Sequence, residues 1–216
     1  MPVRTPSNRY DRNVVGKFPS LKLRRMVCYE SRLEREQIYL MEYDLEVVYY
    51  EEQPLLIEYL WEDSRYKYYP DFKVVTAGGQ QLLLECKAAE FVNTDKNRRK
   101  IAAGRRWCAH RGWEFRLITE QETRAGFRLE NVMFLWQFAR HSVSLETRAR
   151  IYAVMNSRPG LTLAELAALV SPVAPQTARV PIFHLLFHHE LVTPVDEARI
   201  SDNSPLYLPH AREVTR

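Results

Sequence analysis

The chain has 216 residues, 46% of them hydrophobic and 27% charged, which is enough apolar material for a real core in one domain or two small ones. Its formal net charge of +4 suits a polyanionic partner without identifying one. No apolar run approaches membrane-spanning length and Met1–Tyr10 is polar, so neither an anchor nor a signal peptide is expected. Three cysteines, Cys28, Cys86 and Cys108, lack metal-ligand spacing and point to a reduced, cytosolic protein without a zinc site.

Along the chain, the first feature is a basic cluster, Lys17, Lys22, Arg24 and Arg25, a candidate phosphate contact. Ser31-Arg32-Leu33-Glu34 then opens a helical pattern that runs through Ile38 and Met41 to Tyr43. Ser31 and Glu34 have capping-box spacing, and Glu34 also falls on the apolar stripe with Ile38 and Met41, so it is a candidate both for a helix cap and for a site acid. Glu30 lies off that stripe and ranks behind it.

Glu51-Glu52-Gln53-Pro54 leads towards the most informative stretch, Tyr69 to Lys87. Phe72, Val74 and Val75, then Leu82, Leu83 and Leu84, flank Gly78-Gly79, which predicts a β-hairpin. Strand alternation puts Glu85 and Lys87 on the face of Leu83, and Cys86 on the opposite face with Leu82 and Leu84. Closing the hairpin brings Asp71 beside Glu85 and Lys87. Two like charges about 4 Å apart repel by roughly 4 kcal/mol at an effective dielectric of about 20, so the cluster has little structural rationale unless a cation joins it. The bland alternative is a solvated hairpin face with a surface salt bridge worth about 0 to 1 kcal/mol.

Asn93-Thr94-Asp95 supplies caps for a helix reaching about His110, with Gly112 ending it. This helix carries Lys96, Arg98, Arg99, Lys100, Arg105 and Arg106, either a solvated face or a phosphate track. Trp113, Phe115 and Leu117 alternate as a further strand. Leu129 to Arg140 reads as a helix whose apolar Val132, Leu135, Trp136 and Phe138 can pack back on the core or bridge to the C-terminal segment. From about Ser144 the composition turns Ala/Leu-rich: a turn and helix at Pro159 to Leu169, a break at Pro172 to Pro175, a helix from Gln176 to Glu190, and two short runs, Leu191-Val192-Thr193 and Leu206-Tyr207-Leu208, placed as the strands of a wing. The Gln176–Glu190 helix has no arginine or lysine array for base edges, so protein contact competes with DNA contact. His184 and His188 have i, i+4 spacing but no evident Glu or Cys partner for a metal.

The order Pro70-Asp71, spacer, Glu85-Cys86-Lys87 resembles the PD-(D/E)XK nuclease superfamily. Together with Gly16-Lys17-Phe18-Pro19-Ser20-Leu21-Lys22, Glu30-Ser31-Arg32-Leu33-Glu34, Glu51-Glu52-Gln53-Pro54, Tyr69-Pro70-Asp71-Phe72 and Phe115-Arg116-Leu117-Ile118-Thr119-Glu120, the chain resembles, over roughly its first two thirds, TnsA, the endonuclease subunit of heteromeric Tn7-like transposases. The resemblance implies an α/β fold, a restriction-endonuclease-like mixed sheet flanked by helices over residues 1–143, followed by a small winged-helix domain over 144–216 that docks a partner. It implies catalysis by Glu34, Asp71, Glu85 and Lys87. Mg2+, with Mn2+ as a substitute, would be held by Asp71, Glu85, Glu34 and the carbonyl of Cys86. DNA contacts are expected from Lys17, Lys22, Arg24, Arg25, Gln53, Lys96, Arg98, Arg99 and Lys100. The implied activity is cutting of the non-transferred strand at transposon 5′ ends in the bacterial cytoplasm, on double-stranded DNA, with a TnsB-type transposase and a TnsC-type AAA+ ATPase. A stand-alone repair or restriction nuclease shares the same residues, and a non-enzymatic assembly module would have no need of the acids.

Overall fold

The computed structural model describes residues 14–209, so the polar Met1–Tyr10 stretch lies outside the described residues. The chain divides into two compact units between Ala125 and Gly126. In the first, β1 (Gly16–Pro19) and β2 (Met26–Tyr29) form an antiparallel hairpin, and α1 (Arg32–Tyr43) comes next. A four-stranded sheet has the order β3 (Val47–Glu52), β6 (Phe72–Thr76), β7 (Gln81–Cys86), β8 (Glu114–Ile118). Its pairs are antiparallel except β7 with β8, which is parallel, so the sheet is mixed. A second antiparallel hairpin, β4 (Ile57–Trp61) and β5 (Ser64–Tyr68), lies between β3 and β6 in sequence. The β7 to β8 crossover contains the short α2 (Ala89–Val92) and the long α3 (Asp95–Ala109), and α4 (Glu120–Thr123) comes after β8.

The hairpin expected around Gly78-Gly79 forms, with Gly79 supplying the left-handed turn at φ 79°. Leu82, Leu84 and Cys86 are buried on one face of β7, while Leu83 on the other packs with Ile57, Tyr68 and Cys108, so both faces of the strand are covered. α3 rests on β8 at close range: a Cβ added at Gly104 would lie 2.4 Å from the Phe115 ring. Only glycine permits that approach.

Two basic residues expected to contact DNA have partners inside the fold. Glu42, buried at the end of α1, accepts the Ser20 hydroxyl at 2.5 Å, the Leu21 and Lys22 backbone N–H groups at 3.1 and 3.2 Å, and the Tyr50 hydroxyl at 2.6 Å. This anchors the loop from Ser20 to Lys22, and the Lys22 ammonium donates to the Asp44 and Val47 carbonyls. Arg25 forms a two-pronged pair with buried Glu52, at 2.7 and 2.6 Å. Both cations supplement weaker backbone donors: Val47 N–H reaches the Asp44 carbonyl at 3.2 Å and Cys28 N–H reaches Glu52 Oε1 at 3.3 Å. Lys17 and Arg24 are exposed.

The second unit begins earlier than the boundary expected at 143, because the helix α5 (Arg128–Trp136) belongs to it. Buried Asn131 donates to the Val195 and Ala198 carbonyls at 2.8 and 2.7 Å and accepts the Ile200 N–H at 2.9 Å, while Phe134 and Phe138 pack edge-on or tilted against Phe183. Helices α6 (Leu145–Ser157), α7 (Leu163–Val170) and α8 (Pro175–Phe187) enclose a core that includes Ile151, Met155, Leu166 and Ile182. Thr162 and Glu165 complete a capping box at the start of α7. Two isolated bridges, Thr162 with Pro205 and Val192 with Tyr207, join three short extended segments. Among the described residues, no helix is long and apolar enough to cross a membrane.

Candidate active site

Where β6 enters the sheet, Asp71 sits one step beyond the Phe72–Leu84 pair, opposite Glu85. Its Oδ2 accepts the Cys86 backbone N–H at 2.7 Å, and its carbonyl accepts the Gln53 N–H at 2.9 Å. Glu85 is 3% exposed, and its Oε2 accepts the Tyr68 hydroxyl at 2.7 Å while Oε1 lies 3.6 Å from Lys87 Nζ. Asp71, Glu85 and Lys87 therefore meet at one end of the sheet, as the strand alternation requires. They line a cleft of about 580 Å³ together with Glu34, Gln53 and Lys100.

Glu34 arrives from the first turn of α1. Its Oε2 accepts the Glu30 N–H at 2.7 Å, its Oε1 accepts the Ser31 hydroxyl at 2.9 Å, and its own N–H donates to Ser31 Oγ at 3.1 Å. The reciprocal cap thus reaches Glu30, one residue earlier than the standard capping box. Glu34 is both a cap and a cleft residue.

The electrostatics are those of crowded acids. Burial raises the Asp71 pKa well above the usual carboxylate range, and the charges of Glu85 and Glu34 push it further. Burial likewise lifts Glu34 to about 7, against the pull of its Glu30 and Ser31 hydrogen bonds. For Lys87 burial acts downward, but Glu85, Asp71 and Glu34 outweigh it and hold the ammonium above its ordinary value. Burial and Glu85 raise the Tyr68 hydroxyl well above normal, so it remains a proton donor to Glu85.

A divalent oxygen-loving cation suits this donor set: two carboxylates, each already oriented by a neutral donor, destabilised by one another and open to a cleft. The fit is to a metal that takes part of its shell from water and phosphate. Among the described residues there is no group of three or more His, Cys, Asp or Glu side chains able to cage an ion alone. In the second unit, His184 Nδ1 lies 3.2 Å from the Phe138 carbonyl and His188 Nε2 2.9 Å from that of Ala139, so each ring fastens the segment after α5.

Two of the expected DNA contacts enter the cleft region by different routes. Gln53 is 6% exposed, sits in the left-handed region at φ 42° and leaves its Oε1 without a hydrogen-bond partner. Lys100 reaches the cleft from α3, its Nζ 5.5 Å from the centre of the Tyr68 ring. Lys96 and Arg98 are exposed, the latter paired with Asp95 at 2.5 Å, and Arg99 is held by the Tyr66 hydroxyl at 3.2 Å. Tyr68 was not anticipated as part of the site. The only signal for it was the alternation of Tyr66 and Tyr68 just ahead of Pro70-Asp71.

Residues 44–120, which contain Gln53, Asp71, Glu85, Lys87 and Lys100, match the family model of the TnsA-like endonuclease N terminal domain. The match spans 77 of the 216 residues and supports a TnsA-like endonuclease. No curated protein matches the chain. The TnsA-like match begins after α1, so Glu34 enters the cleft from outside the matched stretch.

Proposed function

We propose that the chain is a metal-dependent DNA endonuclease that cuts the non-transferred strand at transposon 5′ ends, acting in the bacterial cytoplasm with a TnsB-type transposase and a TnsC-type AAA+ ATPase. The observation that carries this reading is the meeting of Asp71, Glu85 and Lys87 at the end of the β6–β7 hairpin, inside the TnsA-like domain. Asp71, Glu85 and the carbonyl of Cys86, assisted by Glu34, would hold Mg2+ or Mn2+. When bound, the cation polarises a phosphoryl oxygen and acidifies water.

The protein's own groups do the rest. The Cys86 N–H and the Tyr68 hydroxyl each fix one carboxylate oxygen, so neither Asp71 nor Glu85 needs to reorient during the reaction. Lys87 is held protonated by its neighbours, so it acts as a donor: it orients the attacking water and neutralises charge growing on the phosphoryl oxygens. Lys17, Arg24, Lys96, Arg98, Arg99 and Lys100 are the cations available to phosphates, with Gln53 contacting substrate inside the cleft.

The second unit is read as a partner-docking winged helix, on its order of three helices and short bridged segments. Its α8 offers few cations: Arg179 pairs with Asp202 at 2.5 Å, and His184 and His188 bond backbone carbonyls. The test is a reconstituted reaction on plasmid DNA bearing transposon ends, with the transposase and ATPase present and Mg2+ varied. Strand-specific 5′ cutting that needs both partners and metal is the expected result. Vigorous metal-dependent cutting of plain DNA by the isolated chain would instead make it a stand-alone nuclease.

A further inference from the structure

Helix α3 serves two concave surfaces. Lys100 turns into the catalytic cleft, whereas Ala103, Arg106 and Trp107 line a separate groove of about 610 Å³ whose other wall is the β4–β5 hairpin. The floor is apolar, with Ile57 3% exposed and Ala103 and Trp107 packed against its cluster. At the hairpin wall Leu60 and Trp61 are 69% and 39% exposed. The charge is one-sided. Arg65, Arg99, Arg106 and Arg111 line the groove with a single carboxylate, Glu58, which lies 3.6 Å from Lys67.

Guanidinium and ring are layered in this groove. Arg111 lies 3.8 Å from the centre of the Trp107 ring, and Arg99 lies 5.1 Å from that of Tyr66, itself stacked on Tyr59 at 5.5 Å. A stacked guanidinium keeps N–H edges for phosphate; Trp107 is covered by Arg111 and meets Trp113, whereas the exposed Trp61 indole can offer a flat face to a base.

We infer that this groove carries a single strand of DNA, its phosphates on the arginines and a base turned onto Trp61, so that the substrate is unpaired beside the point of cleavage. The inference rests on the endonuclease reading of the neighbouring cleft, and continuity with that cleft favours it. Arg99 and Lys100 are consecutive, one in each surface. On β5, Tyr66 and Tyr68 share a strand face, the first holding Arg99 and the second donating to Glu85. An aromatic row thus leads from catalytic carboxylate to groove. A duplex keeps its base faces stacked inside and has none to present to Trp61.

The experiment uses the full chain without divalent cation and tracks anisotropy and tryptophan fluorescence. The probes are labelled oligothymidylate of about fifteen nucleotides, a duplex of equal length, and a synthetic glutamate-leucine amphipathic peptide. Oligothymidylate is expected to bind more tightly than duplex and to quench fluorescence. Trp61→Ala should weaken it roughly tenfold, and Arg106→Gln should reduce the slope of log affinity against log salt by about 0.7. Both positions are exposed, and unchanged thermal unfolding will show that the fold is kept. Tighter duplex binding unaffected by Trp61→Ala, or displacement of oligothymidylate by the peptide, would overturn the inference. Cleavage surviving in Asp71→Ala would instead remove the catalytic assignment of the neighbouring cleft, a result distinguishable from any outcome of the binding measurements.

Discussion

The Cys86 backbone N–H donates to Asp71 Oδ2 at 2.7 Å, tying the entry of β6 to the end of β7. Asp71 is thereby aimed by the sheet itself, although burial and the nearby Glu85 and Glu34 charges oppose its ionisation. Asp71→Asn keeps the shape and removes the charge. It should lower strand cleavage by about a hundredfold or more without loss of thermal stability, and Lys87→Ala should do the same. Wild-type cutting by either variant, measured on end-labelled transposon DNA, would rule out this site.

Glu34 separates by substitution into its two roles. Glu34→Ala loses the acceptors for the Glu30 N–H and Ser31 hydroxyl and should cost about 1 kcal/mol in denaturant unfolding. Glu34→Gln retains a capping oxygen and should be nearly as stable as the parent, yet cut more slowly. Equal cleavage rates for Glu34→Gln and the parent would reduce Glu34 to a cap.

Without metal, stability should fall as pH rises. Glu34 and Asp71 have native pKa values above their unfolded ones, so the native state binds more protons than the unfolded state in that window, and ionisation inside the cleft is unfavourable. For Glu34 the window runs from about 4.5 to about 7. The melting temperature should decline across it, Asp71→Asn should flatten the decline, and Mg2+ should recover stability at the alkaline end. A melting temperature that rises steadily over this range and ignores Mg2+ would contradict the crowded-acid description.

Arg25→Ala should damage the fold more than DNA binding, because Glu52 is 2% exposed and would be left without its paired cation. The cost should be roughly 3 kcal/mol. Lys17→Ala should cost almost no stability while lowering the salt slope of duplex binding by about 0.9. Chemical denaturation and a salt titration on both variants decide the assignment, and the reverse pattern would return Arg25 to the DNA-contacting set.

Gly104→Ala places a methyl group where the Phe115 ring lies. A cost of about 1 to 3 kcal/mol is expected from the forced separation of α3 and β8. An unchanged melting temperature would mean that the helix tolerates the displacement freely.

The parts of this molecule legible in the sequence are those governed by local chemistry. Alternating apolar residues around Gly78-Gly79 announced β6 and β7, Ser31 and Glu34 announced the start of α1, and Gly112 marked the end of α3. The β4–β5 hairpin was not visible. Apolar Leu60 and Trp61 are exposed and break the alternation that Arg65 to Tyr68 keeps, and only Ile57 and Tyr68 are buried. Nor could composition show that Lys22 and Arg25 serve acceptors 22 to 27 residues away. Helix α5 was ambiguous for a related reason: an apolar stripe specifies that a helix packs, not on which neighbour, and Asn131 settles that by gripping residues 195 to 200.

The internal use of Lys22 and Arg25 also changes how the surface looks to an approaching polyanion. A count of basic residues places one pole at the N-terminal loop and another on α3, but in the first the donors of Lys22 and Arg25 are turned to carbonyls and a carboxylate within the fold. Among the described residues of these two regions, cations with donors left to solvent therefore concentrate on α3, where exposed Lys96, Arg105 and Arg106 stand. Under the proposed nuclease reading, DNA would meet those free donors first, and their pull will fade as added salt shortens the reach of the field.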